Sequence, residues 1–177
     1  MVEELTNEEN IFVDIEVSNF EELVEMIAQP LLENNDVTVD FPKQVIERER
    51  VFPTGLPTQP IGVAIPHTNP EFVYNNKVTI ATLNAPIQME IMGGMDEGTV
   101  DVSIVFLLAL GESNKQLNIL QKLMGILNQK EILKWGPTYP RSNYFGVKSQ
   151  SREPVGGVNS ANVAQIFYPS PPPTPSH

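Results

Sequence analysis

The run from Val100 to Leu110 constrains the fold more than any other stretch of this sequence. From Val102 to Leu110 only Ser103 breaks an apolar series that includes Ile104, Val105, Phe106, Leu107 and Leu108. Branched and aromatic side chains suit a pleated strand. Apolar residues at odd and even positions alike mean that both faces need cover, so this strand belongs at the centre of a sheet. Crossing a bilayer takes about 20 apolar residues, and this run is too short for that. With 177 residues the chain is sized for one domain and is long enough to bury a real core.

A second apolar run, Ile61-Gly62-Val63-Ala64-Ile65-Pro66-His67-Thr68, ends abruptly. Val63 to Ile65 read as a buried strand bounded by Gly62 and Pro66. Proline cannot continue a ladder, so the chain turns out of the sheet there. His67 then lies just past a strand end, where α/β proteins commonly place their chemistry. Its imidazole can act as base, acid, metal ligand or phosphoryl acceptor. The other histidine is His177 and there is no cysteine, so a metal centre would rest on one histidine and carboxylates. No Gly-x-Ser-x-Gly elbow accompanies His67. A structural histidine with one satisfied hydrogen bond is the remaining reading.

Ile11 to Val17 reads as a strand or extended arm. Ser18 or Asn19 can cap the helix that follows, with Glu21 and Glu22 in its first turn. Leu23, Val24, Ile27 and Leu31 share helical spacing, and Pro30 kinks or ends that helix. A second helix is expected over Phe41–Arg50, with Pro42 near its start. Val45, Ile46 and Val51 would face its core, and Glu47, Arg48, Glu49 and Arg50 mostly elsewhere. Pro53 to Pro60 forms a proline-rich turn, and Thr68 or Asn69 can cap a short helical piece. Lys77 to Leu83 alternates like a strand, and Pro86 to Met89 follows as a second extended piece, before a loop at 92–98. Ser113 is the expected N-cap of a last helix carrying Leu117, Leu120, Met124 and Leu127 on its core face.

Glu47-Arg48-Glu49-Arg50-Val51-Phe52-Pro53-Thr54-Gly55, followed by Gly62-Val63-Ala64-Ile65-Pro66-His67, resembles the phosphorylation-site signature of the type 2 IIA proteins of the phosphoenolpyruvate-dependent sugar phosphotransferase system. The turn Pro53–Pro60, the Met92-Gly93-Gly94 pair and the stretch Leu108–Asn118 bring it closest to the galactitol-specific branch. The resemblance runs from about Leu23 to Leu133. It implies an α/β single domain, a mixed central β-sheet flanked by α-helices. It implies that His67 is the phosphohistidine, loaded on Nε2 by the carrier HPr and emptied to a cysteine of a IIB partner, with a IIC protein selecting the sugar. It places Arg48 beside the phosphohistidine, where a planar guanidinium suits phosphoryl oxygens. Thr54 matches the family's Thr-Gly pair and would hydrogen-bond near the site, or serve as a plain turn hydroxyl. Gln116 stands where many relatives carry a second histidine, at a helix start whose free N–H groups favour an anion. Galactitol-type members carry glutamine there. The sugar itself stays open between galactitol, another polyol and a hexose.

Catalysis of such a transfer is mostly positioning and positive charge around the moving phosphoryl group. A neutral His67 would attack, and no metal or nucleotide cofactor is expected, since no Gly-x-x-x-x-Gly-Lys loop is present. The net charge of −11 argues against nucleic acid as a partner. The acidic N-terminus is unlike a signal peptide, so a cytoplasmic protein without membrane insertion is expected. Residues 135–177 hold eight of the 16 prolines and one acidic residue, against 21 acidic residues before them. Residues 1–134 are therefore read as the IIA domain, and 135–177 as an atypical proline-rich segment, irregular in structure. Two other functions stay open. One is a regulatory protein that signals through the same phosphohistidine without transport. The other is an unrelated hydrolase with His67 as general base.

Overall fold

The computed structural model describes residues 5–93 and 98–111, together with 118, 119, 121, 122 and 125. Its central strand is β5, Thr99–Ala109. On one side β5 pairs antiparallel with β4, Lys77–Glu90. On the other it pairs parallel with β3, Gly62–Ala64. β1, Ile11–Ile15, lies parallel to the outer side of β4, and β2, Gly55–Leu56, lies antiparallel to the outer side of β3. The order β1-β4-β5-β3-β2 makes a mixed five-stranded sheet. Both sides of β5 are thus paired, as its apolar faces require.

Irregularities in register decide which residues face which layer. Gly62 pairs with Val102 but Val63 with Ile104, so Ser103 is an extra residue in β5. Past this bulge the alternation changes phase. Val102, Val105, Leu107 and Ala109 therefore share one face, and Ile104, Phe106 and Leu108 the other. On β4, Thr82 pairs with Ile104 and Ile87 with Val102, leaving Leu83 to Pro86 opposite Ser103. Pro86, which has no N–H to give a ladder, sits where the ladder is interrupted. The two extended pieces expected over 77–89 are consequently one strand.

Three helices cover the first face. α1, Phe20–Ile27, is capped by Asn19, whose Oδ1 accepts the Glu22 N–H at 2.8 Å. The Glu22 carboxylate in turn accepts the Ser18 N–H at 2.7 Å, a reciprocal arrangement close to a capping box. α1 ends at Ile27, and α2, Gln29–Glu33, starts afresh with Pro30 in its first turn. α2 closes on Asn35 with φ at 55°. There the Asp36 N–H bonds the Leu31 oxygen and the Asn35 N–H the Leu32 oxygen, the two bonds of a Schellman cap. α3 is Phe41–Val51 with Pro42 in its first turn. Leu23, Val24, Ile27, Leu31, Phe41 and Val45 are fully buried against the sheet, each such side chain contributing about 2 kcal/mol. Ile46 packs at the edge of this core. Val51 does not reach it and is 67% exposed.

The second face buries Val63, Ile65, Val78, Ile80, Phe106, Leu108 and Leu110, with Leu5 and Ile119 packed on them. Residues 118, 119, 121, 122 and 125 are helical. Ser113, Gln116, the leucine stripe expected after it and all of 135–177 lie outside the described residues.

Candidate functional site

β3 stops at Ala64, but the chain does not swing free. The Pro66 oxygen accepts the Leu108 N–H at 3.0 Å, and His67 forms a parallel bridge with Leu108. The segment after Pro66 is therefore tied to the end of the central strand. Ile65, Pro66 and Thr68 are buried, and His67 is half-buried between them.

The imidazole is held by its own backbone. His67 Nδ1 lies 2.9 Å from the Ile65 oxygen. A carbonyl can only accept, so Nδ1 carries the proton and Nε2 keeps its lone pair. Burial pushes the His67 pKa down, the bond to Ile65 works against that shift, and the nearby Arg48 charge lowers it further. The neutral ring is thus favoured, with Nε2 as the available nucleophile.

Arg48 approaches from the last turn of α3. Its Nη1 donates to Asn69 Oδ1 at 3.4 Å, two residues past His67. Its guanidinium carbon stands 5.2 Å from the centre of the Phe52 ring, a cation–π contact that fixes one face of the fork. Arg48 Nε is buried and has no acceptor among the described residues. A buried guanidinium N–H without a partner is costly, and an anionic oxygen is what would satisfy it. Asn69 precedes the short 3₁₀ turn Pro70–Phe72 but makes no cap bond there, its side chain serving Arg48 instead.

Glu49, the next residue, belongs to the charged run expected to face mostly away from the core, yet it turns inward. Its Oε1 accepts the Thr54 N–H and its Oε2 the Thr54 hydroxyl, both at 2.8 Å. Burial raises the Glu49 pKa and the Thr54 bonds lower it, with Glu90 and Arg48 acting in opposite directions beyond them. Thr54 is buried at 3% exposure, and its hydroxyl proton is committed to Glu49. Its neighbour Gly55 pairs with Ala64, so Thr54 stands at the mouth of the His67 strand. The two outer members of the charged run are on the surface as expected: Glu47 lies 3.8 Å from Lys43, and Arg50 lies 3.1 Å from Glu21.

His67, Arg48 and Thr54 therefore converge at the end of β3, and Glu49 and Asn69 join them. Sequence reasoning did not place those two at the site, because a Glu in a charged run reads as solvated and Asn69 read as the cap of a short helical piece. Gln116 lies outside the described residues. Among the described residues no group of three or more His, Cys, Asp or Glu could hold a metal ion. Nor is any described helix long and apolar enough to cross a membrane.

Two glycines let the strands beneath the site approach closely. A Cβ on Gly62 would run into the Asp101 oxygen and would lie 2.7 Å from Val100 Cγ2. A Cβ on Gly55 would run into the Glu90 oxygen.

Comparison with known proteins bears on this arrangement. The family model "Phosphoenolpyruvate-dependent sugar phosphotransferase system, EIIA 2" matches residues 4–135. The galactitol-specific EIIA component of Escherichia coli K12 is 29% identical over 135 residues, which are 75% of this chain and 89% of that one. The transcriptional regulator ManR of Bacillus subtilis is 29% identical over 107 residues, 60% of this chain, which spans only 15% of the regulator's length. Nitrogen regulatory protein IIA-Ntr of Neisseria meningitidis superposes with a TM-score of 0.67 at 21% identity, over 94% of this chain and 98% of that one. The E. coli mannitol IIA protein, solved in complex with phosphorylated mannitol IIB, superposes with a TM-score of 0.61 at 16% identity, over 90% and 94% of the two chains. The two structures share the fold. With the family model covering most of its length, this chain belongs to the EIIA 2 family of the phosphoenolpyruvate-dependent sugar phosphotransferase system, a family of phosphoryl-transfer components.

Proposed function

We propose that this protein is a cytoplasmic phosphocarrier. Its His67 accepts a phosphoryl group from phospho-HPr on Nε2 and passes it to a cysteine of a IIB partner, for uptake of a polyol of the galactitol type through a IIC permease. The observation that carries this reading is Arg48 Nε, buried without an acceptor among the described residues, beside a histidine whose own free nitrogen is Nε2. A phosphoryl group on that nitrogen supplies the oxygens the guanidinium lacks. Arg48 is the charge that stabilises the transferring group, and Gln116 is assigned a supporting hydrogen bond on the family's pattern. Thr54 acts through the frame of the site. The unit that does this is assigned to residues 1–134. The 29% identity with the galactitol component supports the polyol assignment, and the mannitol IIA protein, solved with its phosphorylated IIB partner, supports the assignment of a IIB acceptor.

The test is an intact-mass spectrum after incubation with phosphoenolpyruvate, enzyme I and HPr, run beside His67→Ala. One acid-labile phosphoryl addition, absent from the folded variant, is the expected result. Normal phosphorylation of His67→Ala would remove the assignment. A second reading, regulation without transport, is favoured by the likeness to ManR and to the nitrogen regulatory protein. Failure of the phosphorylated protein to load any cognate IIB would select it.

A further inference from the structure

The contact that the phosphocarrier scheme does not use is the one between Glu49 and Thr54. Both oxygens of a half-buried carboxylate are committed to one residue, through its N–H and its hydroxyl. A solvated glutamate gains little from such a clamp, whereas this one accepts two charge-assisted bonds away from bulk water. Its location gives it leverage. Glu49 is bonded through the chain to Arg48, in the last turn of α3. Thr54 leads into Gly55, which pairs with Ala64, three residues before His67. The Gly55 oxygen also accepts the Met92 N–H at 2.8 Å, so this strand entry is itself fixed. The other contacts at the end of α3 are exposed or long: Val51 and Phe52 are 67% and 60% exposed, Arg50 meets Glu21 on the surface, and Arg48 holds a long bond to Asn69 besides its contact with the Phe52 ring.

We infer that Glu49 is a positioning residue for phosphoryl transfer, clamping the end of α3 through Thr54 to the start of β2, which pairs with the end of β3 just before His67, and so fixing Arg48 against His67. This rests on the phosphocarrier reading above for its consequence in rate. The geometric part does not. The charges that bear on Glu49 are Arg48 and Glu90; no group-transfer step passes through the carboxylate itself.

Wild type, Arg48→Ala, Glu49→Gln and the double variant are compared by two readouts. The first is the His67 titration followed by NMR. Deleting a nearby anion alone lowers a histidine pKa, whereas moving a nearby cation away raises it. If Glu49 places Arg48, Glu49→Gln raises the His67 pKa, as Arg48→Ala does, and the double variant matches Arg48→Ala. The second is the rate of phosphorylation by phospho-HPr. Glu49→Gln is expected to be slower by roughly tenfold and Arg48→Ala by roughly 10–100-fold, with the double no slower than Arg48→Ala, because groups acting as a unit are not additive. A His67 pKa lowered or unchanged in Glu49→Gln, or rate losses that multiply in the double variant, overturns the inference. If wild type takes no phosphoryl group, the phosphocarrier reading fails and the titration still decides where Arg48 sits. Should Glu49→Gln not fold by circular dichroism, Thr54→Val, which removes one of the two bonds, takes its place with the same criteria.

Discussion

Gly62→Ala tests the frame of the site with the smallest possible change. Gly62 has no positive φ, so alanine brings no backbone strain and the conflict is one of space alone. The added methyl would overlap the Asp101 carbonyl oxygen and sit 2.7 Å from Val100 Cγ2. Val100 can rotate, but Asp101 presents main chain of the central strand and cannot. Carbon contacts are optimal near ~3.5 Å, so β3 and β5 have to part locally by roughly an ångström. Overpacking of this kind costs about 1–3 kcal/mol. Stiffening the unfolded chain by replacing glycine gives back about 0.4–1 kcal/mol. The net loss is on the order of 1–2 kcal/mol, which in a domain of this size lowers the melting temperature by roughly 2–8 °C. His67 rides on the displaced strand, and misplacing a reacting group by ~1 Å can cost 10²-fold, so a rate loss of about tenfold is expected. Thermal unfolding by circular dichroism and the phosphorylation rate from phospho-HPr measure the two effects. Gly111→Ala is the control, since its methyl would stand 3.5 Å from the Val73 oxygen in ordinary contact. If Gly62→Ala melts with the wild type, the close approach of β3 to β5 is not what selects glycine there, and the reasoning fails.

Arg48→Ala should slow phosphorylation by roughly 10–100-fold, the worth of a charge-assisted hydrogen bond, with an unchanged circular dichroism spectrum. It should also raise the His67 pKa, since the Arg48 charge helps hold it down. The acid limb of the rate profile then moves to higher pH, a shift that a pH series reads directly. The His67 pKa is lower in the folded protein than the unfolded value of about 6.5. Its contribution to stability is accordingly present above that pH and is lost as the pH falls through the folded pKa, and denaturant midpoints on either side should show it in wild type but not in His67→Ala. Asn19→Ala, which removes the acceptor of the Glu22 N–H, should cost about 1 kcal/mol in urea unfolding and leave the transfer rate unchanged.

Long or strongly patterned segments were legible in the sequence and short cooperative ones were not. The apolar series around Phe106 announces a central strand, and Asn19 ahead of Glu21 and Glu22 announces a helix start, because each signal is local. β2 is two residues long and sits inside a proline-rich turn, where neither period nor propensity can register. Its existence depends on Gly55 and Gly62 letting backbones approach, which only the tertiary structure defines. The continuity of β4 through Pro86 was hidden for a related reason, since a proline is tolerated only where a bulge in the partner strand leaves its position unpaired. At the site, His67 was legible from the break Ile65-Pro66 and Arg48 through its family signature. The inward turn of Glu49 was not, because its partner Thr54 lies beyond the end of the helix and helical spacing carries no information about it.

The bond from His67 Nδ1 to the Ile65 carbonyl bears on the second half of a carrier's cycle. A phosphoryl group attached through Nε2, with the Nδ1 proton retained on that bond, is joined to an imidazolium. Its departure returns a neutral ring, a far better leaving group than an imidazolate. Under the proposed role, the same 2.9 Å contact that leaves Nε2 free to attack would also keep a phosphorylated ring ready to give its load away. Because the acceptor is a main-chain atom, no side-chain substitution at Ile65 deletes it. In the proposed carrier, the transfer potential would in this way rest on the backbone.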